Sequence, residues 1–295
     1  MSLGKFAQAP VSVGASRSLK QRLEAVLYWL PLAAQQPEQD VEYVHQLRVS
    51  TRRAGAALKL FKDLLPKKKA KHLKQTLKCI RNAAGEARDH DVYLARLTQR
   101  SAEEPALDPL IQQIREQRAT AQAKLVQLWR ETCNSNPSDS PVESDLEIRQ
   151  LLKRLHWRGK KSEPNFHKAA VRWLKPIIHD FFSAEPPAEG EPETLHQYRI
   201  AAKHVRYALD LLKPALTKAA TKAAKKLSQL QDRLGHINDH ATRRHTPQAI
   251  DASDRLSGPP LGRVQTLAGR IADYCLPNLA RRSRSWISRS KNSPS

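Results

Sequence analysis

The chain has 295 residues, with 51 Lys and Arg against 29 Asp and Glu, a formal charge of +22, 40% hydrophobic and 5% aromatic residues. That hydrophobic share excludes a disordered polycation, and the shortage of rings excludes a platform that stacks single-stranded bases. Three widely spaced cysteines, Cys79, Cys133 and Cys275, make neither a disulfide framework nor a zinc knuckle, and each reads as a small buried apolar group. Nothing near the N-terminus has the apolar core of a signal peptide, and no run of apolar residues is long enough to span a bilayer. The expectation is a cytoplasmic protein whose field concentrates polyanions: nucleic acid, an anionic membrane surface or polyphosphate.

Leu, Ala, Lys, Arg and Gln dominate and Gly is scarce, so the chain reads as all-α. In chain order the spacing predicts helices over Ser18–Leu30, Asp40–Leu65, Lys67–Thr98, Leu110–Thr132, Asp145–Arg158, Asn165–Phe182, Glu193–Leu212, Pro214–His240 and Arg263–Ser285. The stretches Cys133–Asp145, Ser183–Thr194 and Ala252–Gly262 mix Pro, Ser, Gly and acid, and read as exposed connections. One domain is expected over 15–285, built from a first helical half at 15–132 and a second at 146–285, with flexible tails at 1–14 and 286–295.

The main organisational feature is an internal duplication. Val44–Lys62 ("VHQLRVSTRRAGAALKLFK") aligns with Leu195–Lys213 ("LHQYRIAAKHVRYALDLLK") at a shift of 151, with seven identities in 19 positions. Downstream, Gly85–His90 ("GEARDH") aligns with Gly235–His240 ("GHINDH") at a shift of 150. On a helical wheel with His45 at zero, Arg48, Arg52 and Lys59 fall at about 300–340°, whereas Leu47, Ala54, Leu58 and Phe61 fall at about 160–220°. His196, Arg199, Lys203 and Arg206 take the matching arc of the second copy, opposite Tyr198, Val205, Leu209 and Leu212.

A solvated helical face usually mixes acids with bases, because opposite charges three or four apart attract. The first stripe carries no acid before Asp63. Like charges at that spacing repel by a few tenths of a kcal/mol per pair, so their repetition in two copies points to an anion that offsets the repulsion. On the following helix Lys67, Lys71, Lys74, Lys78, Arg81 and Arg88 lie within about 100° of arc, with Gly85 on the same line. A glycine inside a helix costs about 1 kcal/mol relative to Ala, and here marks a close backbone approach. Lys218, Lys222 and Lys225 form a shorter, displaced ribbon in the second half. Donors in line along helices suit a linear polymer of phosphates better than base readout, which takes side chains at the exposed N-terminal end of one recognition helix.

His45-x-x-Arg48-x-x-x-Arg52-Arg53 and His196-x-x-Arg199-x-x-x-Lys203-x-x-Arg206, each followed by Arg88-Asp89 or Asn238-Asp239, resemble the conserved-histidine α-helical domain, CHAD. The likeness runs from about Ser18 to about Ser285. It implies two helical bundles related by a pseudo-two-fold axis around a basic central cavity. It also implies binding of inorganic polyphosphate at polyphosphate granules, without catalysis. The ligands it implies are His45, Arg48, Arg52, Arg53, His196, Arg199, Lys203 and Arg206, with Arg81 and Arg88 added; Lys74 and Lys78 of the basic ribbon complete the expected set. Gly55 stands where the second copy has Arg206, so the first motif lacks one cation.

Sharper chemistry finds little support. His90-Asp91 has the look of the His-Asp pair of helical metal-dependent phosphohydrolases, but such a site needs further His and Asp that nothing here supplies. Asp89 and Asp91 read instead as caps or ion pairs at a helix junction. His236 and His240 share a face at a spacing zinc accepts, without a third ligand. A metal beside His45 or His196 would sit among guanidinium groups and be repelled, so no metal or cofactor is expected. Nucleic acid is a weak alternative partner through the same charge. A polyester-granule coat protein, using apolar faces such as Leu23–Leu30, is another alternative, and no membrane partner is expected.

Overall fold

The computed structural model describes residues 6–37, 39–132, 151–184, 192–216 and 229. Every named regular element among them is helical, in agreement with the all-α expectation. The chain divides into two compact units: residues 11–163, and residues 1–10 together with 164–295.

The first unit holds α1 (Val11–Gln35), α2 (Glu42–Leu60), a 3-10 turn at Lys62–Leu64, α3 (Lys67–Ser101) and α4 (Asp108–Thr132). Each helix packs on the next, and α4 also returns to α1. The pattern of burial follows the apolar spacing. Leu19, Leu23, Val26 and Leu30 of α1 are buried, as are Val44, Leu47, Ala54 and Leu58 of α2. On α3 the buried line runs through Leu77, Ile80, Ala84 and Ala87; its two alanines let neighbouring backbones come near. Further along, Leu97 joins Ile111 and Ile114 in a small cluster where α3 meets α4.

Two polar contacts pin α4 inside this bundle. Arg118 Nε donates to Asp91 Oδ1 at 3.0 Å, with both side chains almost fully buried (9% and 3% exposed). Gln122 Nε2 donates to the carbonyls of Ala33 and Ala34, at 2.8 and 3.1 Å. The last carbonyls of a helix have no partner within it, so Gln122 satisfies two acceptors that burial would otherwise strand.

In the second unit the described elements are residues 6–10, α5 (Phe166–Ser183), α6 (Pro192–Leu212) and a 3-10 turn at Lys213–Ala215. Asn165 caps α5 by accepting the Lys168 N–H at 2.9 Å. Phe181 lies against Tyr198 with ring centroids 5.1 Å apart, which fastens α5 to α6. The ring of His167 meets the Ala215 carbonyl at 2.7 Å.

Several boundaries differ from the sequence reading, each for a physical reason. Residues 6–14 are no flexible tail: Phe6 is buried edge-on against Phe166 at 5.5 Å, and the Phe166 N–H donates to the Ala9 carbonyl at 2.8 Å. The two compact units adjoin in sequence at Glu163 and Pro164; the connection expected over Cys133–Asp145 lies outside the described residues. Helix α1 starts at Val11 instead of Ser18 and runs through Pro31 to Gln35. The Gln122 amide holds that final turn despite the hydrogen bond the proline removes.

The helix expected over Asp145–Arg158 ends at Lys153 where it is described. Beyond it the His156 N–H donates to the Leu64 carbonyl at 3.2 Å, and Trp157 Nε1 donates to the Lys161 carbonyl at 2.8 Å. A Cβ on Gly159 would clash with the Trp157 ring, so a larger residue there would have to displace the indole. Cys79 is exposed, contrary to the expectation of burial, because it lies on the outer line of α3 away from Leu77 and Ile80. The expected helix after Pro214, apart from Pro214–Leu216 and Gln229, and the whole of Arg263–Ser285 lie outside the described residues.

The Asp91–Arg118 pair gives a stability test. Asp91→Ala leaves a buried guanidinium without its carboxylate and should cost about 3 kcal/mol, read as a lower urea midpoint. The double variant Asp91→Leu with Arg118→Met should recover most of that loss. A change below about 1 kcal/mol in the single variant would show that the pair does not hold α4.

Candidate functional site

The first stripe lies where the wheel puts it. On α2, His45, Arg48, Arg52 and Arg53 are half-buried and Lys59 is exposed, while Val44, Leu47, Thr51, Ala54 and Leu58 face the core. Arg48 reaches across to α3. Its Nη1 donates to the Gly85 carbonyl at 2.6 Å and to Asp89 Oδ1 at 3.2 Å. A Cβ on residue 85 would sit 3.3 Å from that same Nη1. The glycine in mid-helix therefore marks the close approach that the sequence suggested: the missing side chain makes room for a guanidinium.

This contact fixes the height of one helix against the other. Helices α2 and α3 run antiparallel through the turn at Lys62–Leu64, and each residue advances about 1.5 Å. With Arg48 at Gly85, His45 comes level with Arg88, Arg52 with Arg81, Gly55 with Lys78, and Lys59 with Lys74. The electrostatics of His45 agree at the first of these pairs. Its pKa lies below the usual 6.5, chiefly because burial desolvates the ring. Glu42 pulls the other way, and the positive charges of Arg88, Arg52 and Arg48 then push it down, Arg88 most strongly of the three. Arginine stays protonated at any ordinary pH, so the histidine is the group that yields.

The structure thus gathers His45, Arg48, Arg52 and Arg88 into one cluster. Toward the turn the same two lines continue as exposed cations, Lys59 on α2 with Arg81, Lys78 and Lys74 on α3. Arg53 stands about 100° around α2 from Arg52, on the flank of the line, and its Nε is shielded from solvent without a hydrogen-bond partner.

In the second unit α6 carries His196 exposed and Arg199, Lys203 and Arg206 half-buried, opposite buried Tyr198, Ala202, Val205, Leu209 and Leu212. Burial pushes the Tyr198 hydroxyl up to about 12, as expected of a phenol on the core side. The Arg206 guanidinium lies 5.0 Å from the centre of the Tyr207 ring, which holds it over the helix surface. Lys218, Lys222, Lys225, Gly235, His236, Asn238, Asp239 and His240 lie outside the described residues.

Three features escaped the sequence reading. Asp89 makes the expected ion pair at a helix junction, but the sequence does not name its partner Arg48, although a position four residues after Gly85 puts both on one line of α3. Glu42 sits 3.9 Å from the His45 ring nitrogen Nε2, one turn before it. On α5 the exposed Lys168, Arg172 and Lys175 form a further cationic line, visible in the sequence as spacings of four and three. The expectation for Asp91 holds: it is an ion pair at a helix junction, and its carboxylate faces Arg118 in the core. Among the described residues no three His, Cys, Asp or Glu side chains gather as metal ligands, and no helix is long and apolar enough to cross a membrane.

No curated protein matches the chain. Among solved structures, the crystal structure of the CHAD domain from the plant Ricinus communis matches with a TM-score of 0.61 at 22% identity, over 94% of this chain and 89% of that one, a likeness of fold. PptA from Streptomyces chartreusis matches with a TM-score of 0.48 at 16% identity, over 97% of this chain and 100% of that one, and is too distant to argue from. The family profile of the CHAD domain covers residues 17–248, well over half of the chain, in agreement with its two His-x-x-Arg helices. The chain belongs to the CHAD domain family.

Proposed function

We propose that the protein binds inorganic polyphosphate through the stripes of α2, α3 and α6 and associates with polyphosphate granules, acting as a binding module and not as a catalyst. The observation that carries the reading is the cluster of His45, Arg48, Arg52 and Arg88, continued by Arg81, Lys78, Lys74 and Lys59 along two adjacent helices. Four cationic or ionisable groups with two flanking carboxylates repel one another, and a chain of phosphates relieves that repulsion at every step of the ladder. The CHAD family is associated with polyphosphate binding in general, which supports the same conclusion. The pseudo-two-fold arrangement around a shared basic cavity, with His196, Arg199, Lys203 and Arg206 as the second set of ligands, belongs to this proposal.

Nucleic acid remains a weaker ligand of the same charge. Helices α2 and α3 offer donors in line, without an aromatic platform or a recognition helix. The polyester-coat alternative loses its main feature, since Leu23, Val26 and Leu30 are spent on the core of the first unit.

Long-chain polyphosphate should bind the wild type with an affinity that falls steeply with salt. Replacing Arg48, Arg52, Arg199 and Lys203 together by Ala should weaken it by at least about a hundredfold, at roughly 1 kcal/mol per charged contact. Unchanged affinity in that variant, or displacement of polyphosphate by duplex DNA at equal phosphate concentration and physiological salt, would count against the proposal.

The position of Gly55 supplies a gain-of-function test. Nothing lies within 4 Å of a Cβ built there, so Gly55→Arg adds the cation that Arg206 provides in the other copy. The variant should bind polyphosphate more tightly, by about threefold, and should also be more stable, since glycine in a helix costs roughly 1 kcal/mol. Weaker binding by a folded variant would argue that the stripe is not where the polymer lies.

The depressed pKa of His45 sets a pH dependence. Below 6.5 the unfolded chain takes up a proton that the folded chain resists, so His45 lowers stability as the pH falls through that value. A bound polyanion favours the imidazolium, so binding should take up a proton and tighten as the pH drops from about 8 to about 6. Calorimetry in buffers of different ionisation enthalpy should show that uptake, and His45→Ala should reduce it. Equal proton uptake by wild type and variant would remove His45 from the site.

A further inference from the structure

The carboxylate of Asp89 accepts from Arg48 Nη1 at 3.2 Å, at the half-buried end of an otherwise cationic line. Its side chain is 78% exposed, against 22% for Arg48, so it is reached from solvent first. The Gly85 carbonyl accepts from the same Nη1 on the buried side, which keeps the guanidinium in place when the carboxylate swings away. Arg48 is therefore positioned by the backbone and covered by Asp89. The sequence of the other half repeats the arrangement of types: Gly235 and Asp239 follow Arg199 by 36 and 40 residues, as Gly85 and Asp89 follow Arg48 by 37 and 41.

We propose that Asp89 is a resident counter-anion that tunes specificity at this site, by disfavouring short phosphates at Arg48 more than long polymers. The proposal rests on the polyphosphate reading and names the residue that selects among phosphates. A pyrophosphate or orthophosphate has only the local cluster to bind, so it must displace the carboxylate and meet its repulsion in full. A polymer also engages Arg81, Lys78, Lys74 and Lys59 farther along the two helices. It binds whether or not Arg48 is released, and the carboxylate removes a smaller fraction of its contacts. Exposed pairs of this kind are individually weak, so the effect on a short ligand is a few-fold and not an all-or-none block.

The test compares Asp89→Asn with Glu86→Gln in the full chain, using pyrophosphate and long-chain polyphosphate as ligands. Glu86 lies one turn away on α3 and pairs with Lys124 at 2.7 Å, so its neutralisation changes the net charge equally without touching Arg48. Asp89→Asn should bind pyrophosphate about threefold more tightly than both the wild type and Glu86→Gln, with a smaller gain for the long polymer. Asp89→Ala, which removes the acceptor as well as the charge, should behave the same way. Three outcomes overturn the proposal: a gain no larger than that of Glu86→Gln, a gain as large for the polymer, or a loss of affinity, which would make Asp89 a positioning residue for Arg48. No measurable pyrophosphate binding by Asp89→Asn overturns it too. A wild type that fails to take up long-chain polyphosphate sinks the polyphosphate reading separately, and the pyrophosphate comparison still decides the role of Asp89.

Discussion

The guanidinium of Arg48 resting on the backbone of Gly85 is the contact on which the rest of the site depends. The absent side chain of Gly85 leaves room for the Arg48 guanidinium, at the height where His45 comes level with Arg88 and feels its charge. Around that contact the two cationic lines form a ladder of positive charge, half-buried at one end and open at the other. Burial at the closed end desolvates His45 and makes it the one group in the cluster whose charge can answer to a ligand.

The bundle behind this ladder is held by contacts that leave the stripes alone. Asp91 faces inward to Arg118, Asp89 faces outward to Arg48, and Arg88 acts on His45. Three residues within one turn thus divide among the core, the neighbouring helix and the site, because successive helical positions point about 100° apart. The Gln122 amide does similar service for the end of α1, where Pro31 would otherwise weaken the last turn. Rigid support of this kind matters for a site built of like charges, since a loose cluster would relax by moving its cations apart.

Much of this was legible in the sequence, and the parts that were not have physical causes. The three-and-four spacing of Leu47, Ala54 and Leu58 fixes which face of α2 is buried, and the opposite face then has to carry His45, Arg48 and Arg52. Gly85 inside a helix is legible for the same reason, as a cost that needs a close neighbour. The identity of that neighbour was not, since a contact spanning 37 residues depends on how the hairpin closes. Asp89 was legible as an acid at a junction but not as the cover of Arg48, because either sign of role fits the same position on the wheel. The end of α1 and the ordering of Phe6 were missed because tertiary partners, Gln122 and Phe166, override local signals. The general preference of cysteine for burial gives way at Cys79 to its place on the outer line of α3.

Chemical footprinting of lysine and arginine side chains, with and without long-chain polyphosphate, tests most directly where the anion lies. Shielding of Arg52, Lys59, Lys74, Lys78 and Arg81 in the first unit and of Arg199 and Lys203 in the second, with Lys124 and Lys153 still reactive, is the expected result. Shielding confined to Lys124, Lys153 or the line Lys168, Arg172 and Lys175, with α2 and α3 unchanged, would contradict the claim that the ladder built on Arg48 and Gly85 is the binding site.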